Sequence, residues 1–143
     1  MCIRDRLSLL LGKRLMAMGR SKEAMRHLEL ASASPALKRQ ARFELGLAKL
    51  ESGDAQGAVT EFGSLVASQP GDRRAIQNLA RAQVDAGLSE AALVTLERFE
   101  SLAPRDAQPW LTRAAILQRM ERHDEASKLL KRACGLGVQE ACP

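Results

Sequence analysis

Residues 45–70 read LGLAKLESGDAQGAVTEFGSLVASQP, and several features of this stretch recur along the chain at a constant step of 34 residues. The positions related by this step are Gly12, Gly46, Ala80 and Ala114; Gly19, Gly53 and Gly87; Ala24, Ala58, Ala92 and Ala126; and Leu28, Phe62, Leu96 and Leu130. A fixed period of this length, with small residues in fixed positions, is typical of stacked helix pairs. The sequence therefore predicts an all-α repeat protein.

The composition agrees with that prediction and limits the classes of partner. The chain has 143 residues, of which 45% are hydrophobic and only 3% are aromatic, which suits one helical domain. The 22 Lys and Arg residues exceed the 17 Asp and Glu residues, giving a net charge of +5. We interpret this mild excess as solvated surface, and without interleaved aromatic residues we do not expect a nucleic-acid partner. No apolar run reaches the ~18 residues that span a bilayer, so no membrane span is predicted in this chain.

The register divides the chain into units of equal length. They cover about residues 5–38, 39–72, 73–106 and 107–140, within one domain at 7–140 that is followed by a tail at 141–143. Each unit is predicted to hold a first helix (helix A), a tight turn and a second helix (helix B). Residues 1–6, MCIRDR, resemble the translation of a sequencing-adapter end, ATG TGT ATA AGA GAC AG, and are predicted to be an artefact. We therefore expect a metagenomic fragment of a larger bacterial protein that extends upstream.

The turns between the two helices are marked by glycine in the first three units, whereas the fourth has Glu121. Because glutamate disfavours positive φ, we expect that this turn does not require it. Side chains are predicted to cap the helices that start near four residues: Ser21, Asp54, Asp72 and Ser89.

The motifs of these units resemble the tetratricopeptide repeat family, which is described by W-x₂-L-G-x₂-Y, then A-x₃-F, then P. The L-G pair is present at 11–12 and 45–46, and Ala58-x₃-Phe62 matches in full. Trp110 fills the leading aromatic position, and Pro70 and Pro104 fill the closing one. The sequence departs from the pattern late in helix A, where we expect loose local packing at Leu15, Lys49, Gln83 and Leu117.

The resemblance implies a right-handed α-solenoid whose concave groove, lined by helices A, binds a peptide or a partner protein. Carried onto this sequence, the groove candidates are Lys13, Phe43, Glu44, Leu47, Gln77, Asn78, Arg81, Leu111, Thr112, Ala115 and Arg119. Some members of the family hold a C-terminal carboxylate in a clamp, and Asn78 matches one clamp asparagine. Glu44 in a neighbouring clamp position would repel a carboxylate, which argues against that ligand.

The C-terminal residues 134–143 contain Cys134 and Cys142, and their A-C…A-C spacing resembles the connection between Sel1-like repeats. That resemblance implies a possible disulfide, which would place the chain in an oxidising compartment such as the periplasm. Two free thiols would instead suit the cytoplasm, and the sequence leaves both open.

No motif for catalysis is present: the patterns of phosphate-binding loops, dinucleotide sites, metalloproteases and serine hydrolases are all missing. His27 and His123 lie in the first and fourth repeats, far apart in the sequence. The cysteine pair lacks partners at zinc-ligand spacing. We therefore predict no catalytic residue, no metal and no cofactor. The predicted function is a non-catalytic protein-interaction scaffold. The alternatives are a regulatory or targeting segment of a larger enzyme, or a periplasmic assembly or secretion accessory protein.

Overall fold

The helices follow one another in pairs in the computed structural model, which describes residues 2–143 and leaves Met1, one of the predicted adapter residues, outside. They are α1 (Ile3–Ala17), α2 (Ser21–Ser32), α3 (Lys38–Glu51), α4 (Ala55–Ser68), α5 (Arg73–Asp85), α6 (Ser89–Leu102), α7 (Gln108–Arg119) and α8 (His123–Gly135), with a 3₁₀ helix at Gln139–Ala141. All regular secondary structure in residues 2–143 is helical, which confirms the predicted all-α class. Each helix packs mainly against its neighbours in sequence, as in a repeat array.

The two helices of a pair approach closely where helix A carries a glycine. A Cβ atom added to Gly46 would lie 2.7 Å from Cζ of Phe62, which is fully buried on α4. A Cβ atom on Gly12 would likewise lie 2.6 Å from Cδ2 of Leu28 on α2. Real Cβ atoms do not come this close to a neighbour, so the large side chain of helix B occupies the space that glycine leaves.

The turn between helices A and B has the same backbone form in all four units. Gly19, Gly53 and Gly87 have φ values of 71°, 87° and 78°, and Glu121 has a φ of 61°. The expectation that the fourth turn avoids positive φ is therefore wrong. The reason is a hydrogen bond that all four turns have in common. In this turn the backbone N–H of Arg122 donates to the carbonyl oxygen of Leu117 at 2.9 Å. This bond closes the helix end with a left-handed residue whatever side chain is present.

The predicted helix caps divide into two groups. Asp54 and Asp72 each accept a hydrogen bond from the backbone N–H three residues later, at 2.9 Å and 3.1 Å. Ser21 and Ser89 are instead the first residues of their helices, and neither helix start has a side-chain cap. The cap predictions at the two serines are wrong, and the Ser21 hydroxyl donates to the carboxylate of Glu51 at 2.7 Å.

Packing late in helix A is not loose, contrary to expectation. Leucine is buried at this position in the first and fourth units. In the second unit the ammonium of Lys49 lies 2.8 Å from the carboxylate of Glu61, and in the third the hydroxyl of Thr95 donates to the amide oxygen of Gln83 at 2.7 Å. A polar bridge to helix B thus replaces the aromatic contact of the family pattern.

The glycine–aromatic contact gives a first testable prediction. Gly46→Ala is expected to lower the free energy of unfolding by about 1–2 kcal/mol, because overpacking outweighs the better helix propensity of alanine. Adding Phe62→Leu, which recreates the Ala80 and Leu96 pair of the third unit, is expected to recover part of that loss. Urea denaturation of both single variants and the double variant measures this coupling, and strictly additive losses would contradict the proposed contact.

The left-handed turn residue gives a second prediction. Glu121→Gly is expected to raise the free energy of unfolding by about 0.5–1 kcal/mol, since the penalty of a left-handed L-residue exceeds the extra chain entropy of glycine. The matched control is Gly87→Ala at the equivalent turn, which is expected to destabilise by a similar amount. Thermal melting followed by circular dichroism compares them, and a less stable Glu121→Gly variant would be the opposite result.

Candidate partner-binding groove

Among the hollows along the row of helices A, two contain most of the predicted groove residues. The N-terminal hollow has a volume of about 440 Å³ and is lined by Lys13, Ala36, Arg39, Gln40, Phe43, Glu44, Leu65, Asp72 and Arg74. The C-terminal hollow has a volume of about 510 Å³ and is lined by Gln77, Asn78, Ala80, Arg81, Val84, Asp85, Leu96, Thr112, Ala115, Ile116 and Arg119. Both volumes fall within the range of ~300–1,000 Å³ that is usual for binding sites.

The structure brings most of the predicted groove residues to these hollows. Lys13, Phe43 and Glu44 line the N-terminal hollow, and the C-terminal hollow takes Gln77, Asn78, Arg81, Thr112, Ala115 and Arg119. Leu47 and Leu111 line neither hollow; both are half-buried, and Leu47 packs against the apolar core. 

Sequence reasoning missed several lining residues, among them Arg74, Val84 and Ile116. Helical spacing was the signal that could have found the first two, since Arg74 precedes Asn78 by four residues and Val84 follows Arg81 by three.

Two cations of the N-terminal hollow are paired with carboxylates of the same hollow. The ammonium of Lys13 lies 3.6 Å from the carboxylate of Glu44, and the guanidinium of Arg39 pairs with Asp72. Lys13 and Arg39 are therefore already paired with carboxylates of the same hollow.

Arg74 lines the N-terminal hollow and contacts an aromatic ring. Its guanidinium carbon lies 4.8 Å from the centre of the Phe43 ring, a cation–π distance. Phe43 in turn meets Phe62 edge to face, with ring centres 5.6 Å apart. The position of this cation is thus tied to the helix pair below it.

The C-terminal hollow combines an apolar floor with a cationic rim. Leu96 and Ile116 are only 1% and 5% exposed, and Val84 is half-buried beside them. Arg81 on α5 and Arg119 on α7 stand at the rim, and neither makes an ion pair within residues 2–143. This arrangement can take an apolar side chain on the floor and polar or charged groups at the edge.

One wall of this hollow is α7, and ion pairs of Arg113 join this helix to α6. One guanidinium nitrogen of Arg113 donates to both carboxylate oxygens of Glu100 at 2.9 Å and 2.8 Å, and the other donates to Glu97 at 2.7 Å. The equivalent positions one unit earlier hold Val66 and Leu79, both in an apolar cluster. Of all the pairs of successive helices from α1 to α8, α6 and α7 pack least closely.

Burial raises the pKa of the Glu100 carboxyl above its usual value, and the guanidinium of Arg113 lowers it only in part. The Glu100 side chain is 8% exposed, so the charged form loses most of its hydration. The folded protein therefore binds the proton of the Glu100 carboxyl more tightly than the unfolded chain does. As a result, the contribution of Glu100 to stability falls as the pH rises from about 4.5, the ordinary pKa of this group, through its pKa in the folded protein.

The C-terminal tail folds back on α8. Cys134 and Cys142 are joined by a disulfide with their Cα atoms 5.0 Å apart, and Ala141 is buried next to the bridged residue. The guanidinium of Arg132 lies 5.1 Å from the centre of the Trp110 ring, which links the end of α8 to the start of α7. The 3₁₀ helix that follows α8 thus packs against α8 itself.

Groups suited to bind a metal do not occur in residues 2–143, where no three His, Cys, Asp or Glu side chains cluster as ligands. His27 is half-buried on α2, and His123 is exposed at the start of α8. None of the helices described in this structure is both long and apolar enough to cross a membrane.

Comparison with known proteins agrees with this architecture. Residues 49–116 match the tetratricopeptide repeat family. A structure of MamA from Desulfovibrio magneticus RS-1 has a TM-score of 0.83 at 22% identity, covering 95% of this chain and 77% of that chain. A crystal structure of MamA has the same TM-score at 21% identity, covering 96% of this chain and 80% of that chain. No curated protein sequence matches the chain. The predicted resemblance to the tetratricopeptide repeat family and the predicted solenoid of helix-turn-helix repeats are confirmed.

The buried ion pair gives a third prediction. Arg113→Leu is expected to lower the free energy of unfolding at pH 7 by about 3 kcal/mol, because it leaves the charge of Glu100 buried without its partner. Lowering the pH protonates that carboxyl, so the deficit of this variant is expected to shrink toward pH 5.

The double variant Glu100→Val with Arg113→Leu, which copies Val66 and Leu79, is expected to be at least as stable as the native chain. Urea denaturation between pH 5 and pH 8 tests both statements. If the double variant lost as much stability as Arg113→Leu alone, the ion pair would not be replaceable by apolar packing.

Proposed function

We propose that this chain, whose helix pairs have the tetratricopeptide repeat fold, is a non-catalytic scaffold that binds a segment of a partner protein in the C-terminal hollow. The observation that supports the proposal is the apolar floor of Val84, Leu96 and Ile116 between the walls formed by α5 and α7. A floor of this kind takes an apolar anchor residue, and burial of such anchors supplies most of the binding energy in peptide recognition.

The N-terminal hollow is a weaker candidate for the same role. Its cations Lys13 and Arg39 already pair with Glu44 and Asp72. A partner that bound there would have to break these contacts or leave them buried, and either choice costs binding free energy. We therefore assign the principal contact to the C-terminal hollow.

Selection from a displayed library of random dodecapeptides tests this function. The native chain is expected to enrich peptides that share an apolar anchor, and Ala115→Trp is expected to weaken their binding at least tenfold, because the indole fills the hollow. The matched control is Val94→Trp: Val94 is 66% exposed on α6 and lines neither hollow, so binding should not change.

Fluorescence anisotropy with labelled copies of the enriched peptides measures these affinities. Circular dichroism melts of both variants verify that the fold is retained. The proposal fails if no peptide is enriched, or if Ala115→Trp binds the enriched peptides as tightly as the native chain does.

A further inference from the structure

The arginines at the rim of the C-terminal hollow differ from the arginines that pair with a carboxylate of another helix or unit. Arg39, Arg113 and Arg122 each reach a carboxylate in another helix or unit. Arg81 and Arg119 reach none, and the one carboxylate in this hollow, Asp85, forms no ion pair in the described chain. The hollow therefore keeps a net positive charge that no side chain of residues 2–143 satisfies.

The apolar floor makes these cations more effective than scattered surface charges. Ion pairs at an exposed surface contribute little, since water screens both groups. A ligand that covers Val84 and Ile116 removes water from the rim as well, which strengthens a charge-assisted hydrogen bond made there. Arginine also presents a planar fork of donors that fits both oxygens of a carboxylate.

Arg74 extends the positive charge along α5. It precedes Arg81 by seven residues, so the two lie two helical turns apart, or about 10 Å along the axis at ~1.5 Å per residue. An extended peptide rises ~3.3 Å per residue, so carboxylates three residues apart span a similar distance. Arg74 is exposed although its guanidinium carbon lies 4.8 Å from the centre of the Phe43 ring, and it makes no ion pair within residues 2–143.

We infer that the partner segment bound in the C-terminal hollow is acidic, with carboxylates that pair with Arg81 and Arg119 on either side of an apolar anchor. This inference rests on the proposed function and adds the chemical class of the ligand. Arg74 takes a further carboxylate three residues along the segment from the one bound by Arg81. A basic segment is excluded from the same floor by repulsion from the rim.

The random dodecapeptide selection also tests the inference. Peptides enriched on the native chain are expected to carry an excess of Asp and Glu around their anchor. The double variant Arg81→Glu with Arg119→Glu is expected to bind labelled copies of these peptides at least tenfold more weakly and to enrich basic peptides in its own selection. Binding to the native chain should also weaken as the salt concentration rises.

The matched control is Arg98→Glu with Arg105→Glu, which makes the same change in net charge. Both residues are exposed, and neither lines a hollow. This control should retain native affinity. Enriched peptides without an acidic excess, or equal loss of affinity in the control, would overturn the inference. The proposed function would stand in both cases as long as Ala115→Trp still weakens binding at least tenfold, whereas failure to enrich any peptide would overturn both.

Discussion

The contact between a small residue of helix A and a large side chain of helix B sets the spacing of each helix pair. Gly46 has no room for a Cβ atom because Phe62 occupies that space, and Gly12 stands in the same relation to Leu28. A fixed spacing within the pair also fixes where the next helix A lies. The constant step of the small residues thus places α3, α5 and α7 side by side and creates the hollows between them.

Both residues of each such contact lie within one repeat unit, which explains why the fold could be predicted from the sequence. Features that depend on a neighbour across the fold could not. The residue type is a poor guide to the turn at Glu121, because the φ of this residue is set by the hydrogen bond between the backbone N–H of Arg122 and the carbonyl oxygen of Leu117. Late in helix A, Lys49 was expected to pack loosely because its partner on helix B, Glu61, was not recognised.

The faces of the groove were predictable for the same local reason, since one face of each helix A repeats along the chain. The difference in charge pairing between the two hollows of the groove was not predictable. Whether Lys13 and Arg39 are neutralised depends on contacts with Glu44 and Asp72, each in the next helix A or at its start. The sequence shows the charges of a hollow, whereas only the geometry shows which of them are already paired.

The two walls of the C-terminal hollow are held by different interactions. The apolar cluster that contains Val66 and Leu79 fixes α5 to α4, whereas the corresponding positions at the α6–α7 junction hold Glu100 and Arg113. Apolar packing tolerates small shifts in angle, but a guanidinium that bonds both oxygens of one carboxylate constrains orientation as well as distance. The wall formed by α7 is therefore oriented on α6 by these ion pairs, although α7 packs less closely on α6 than other successive helices pack on each other.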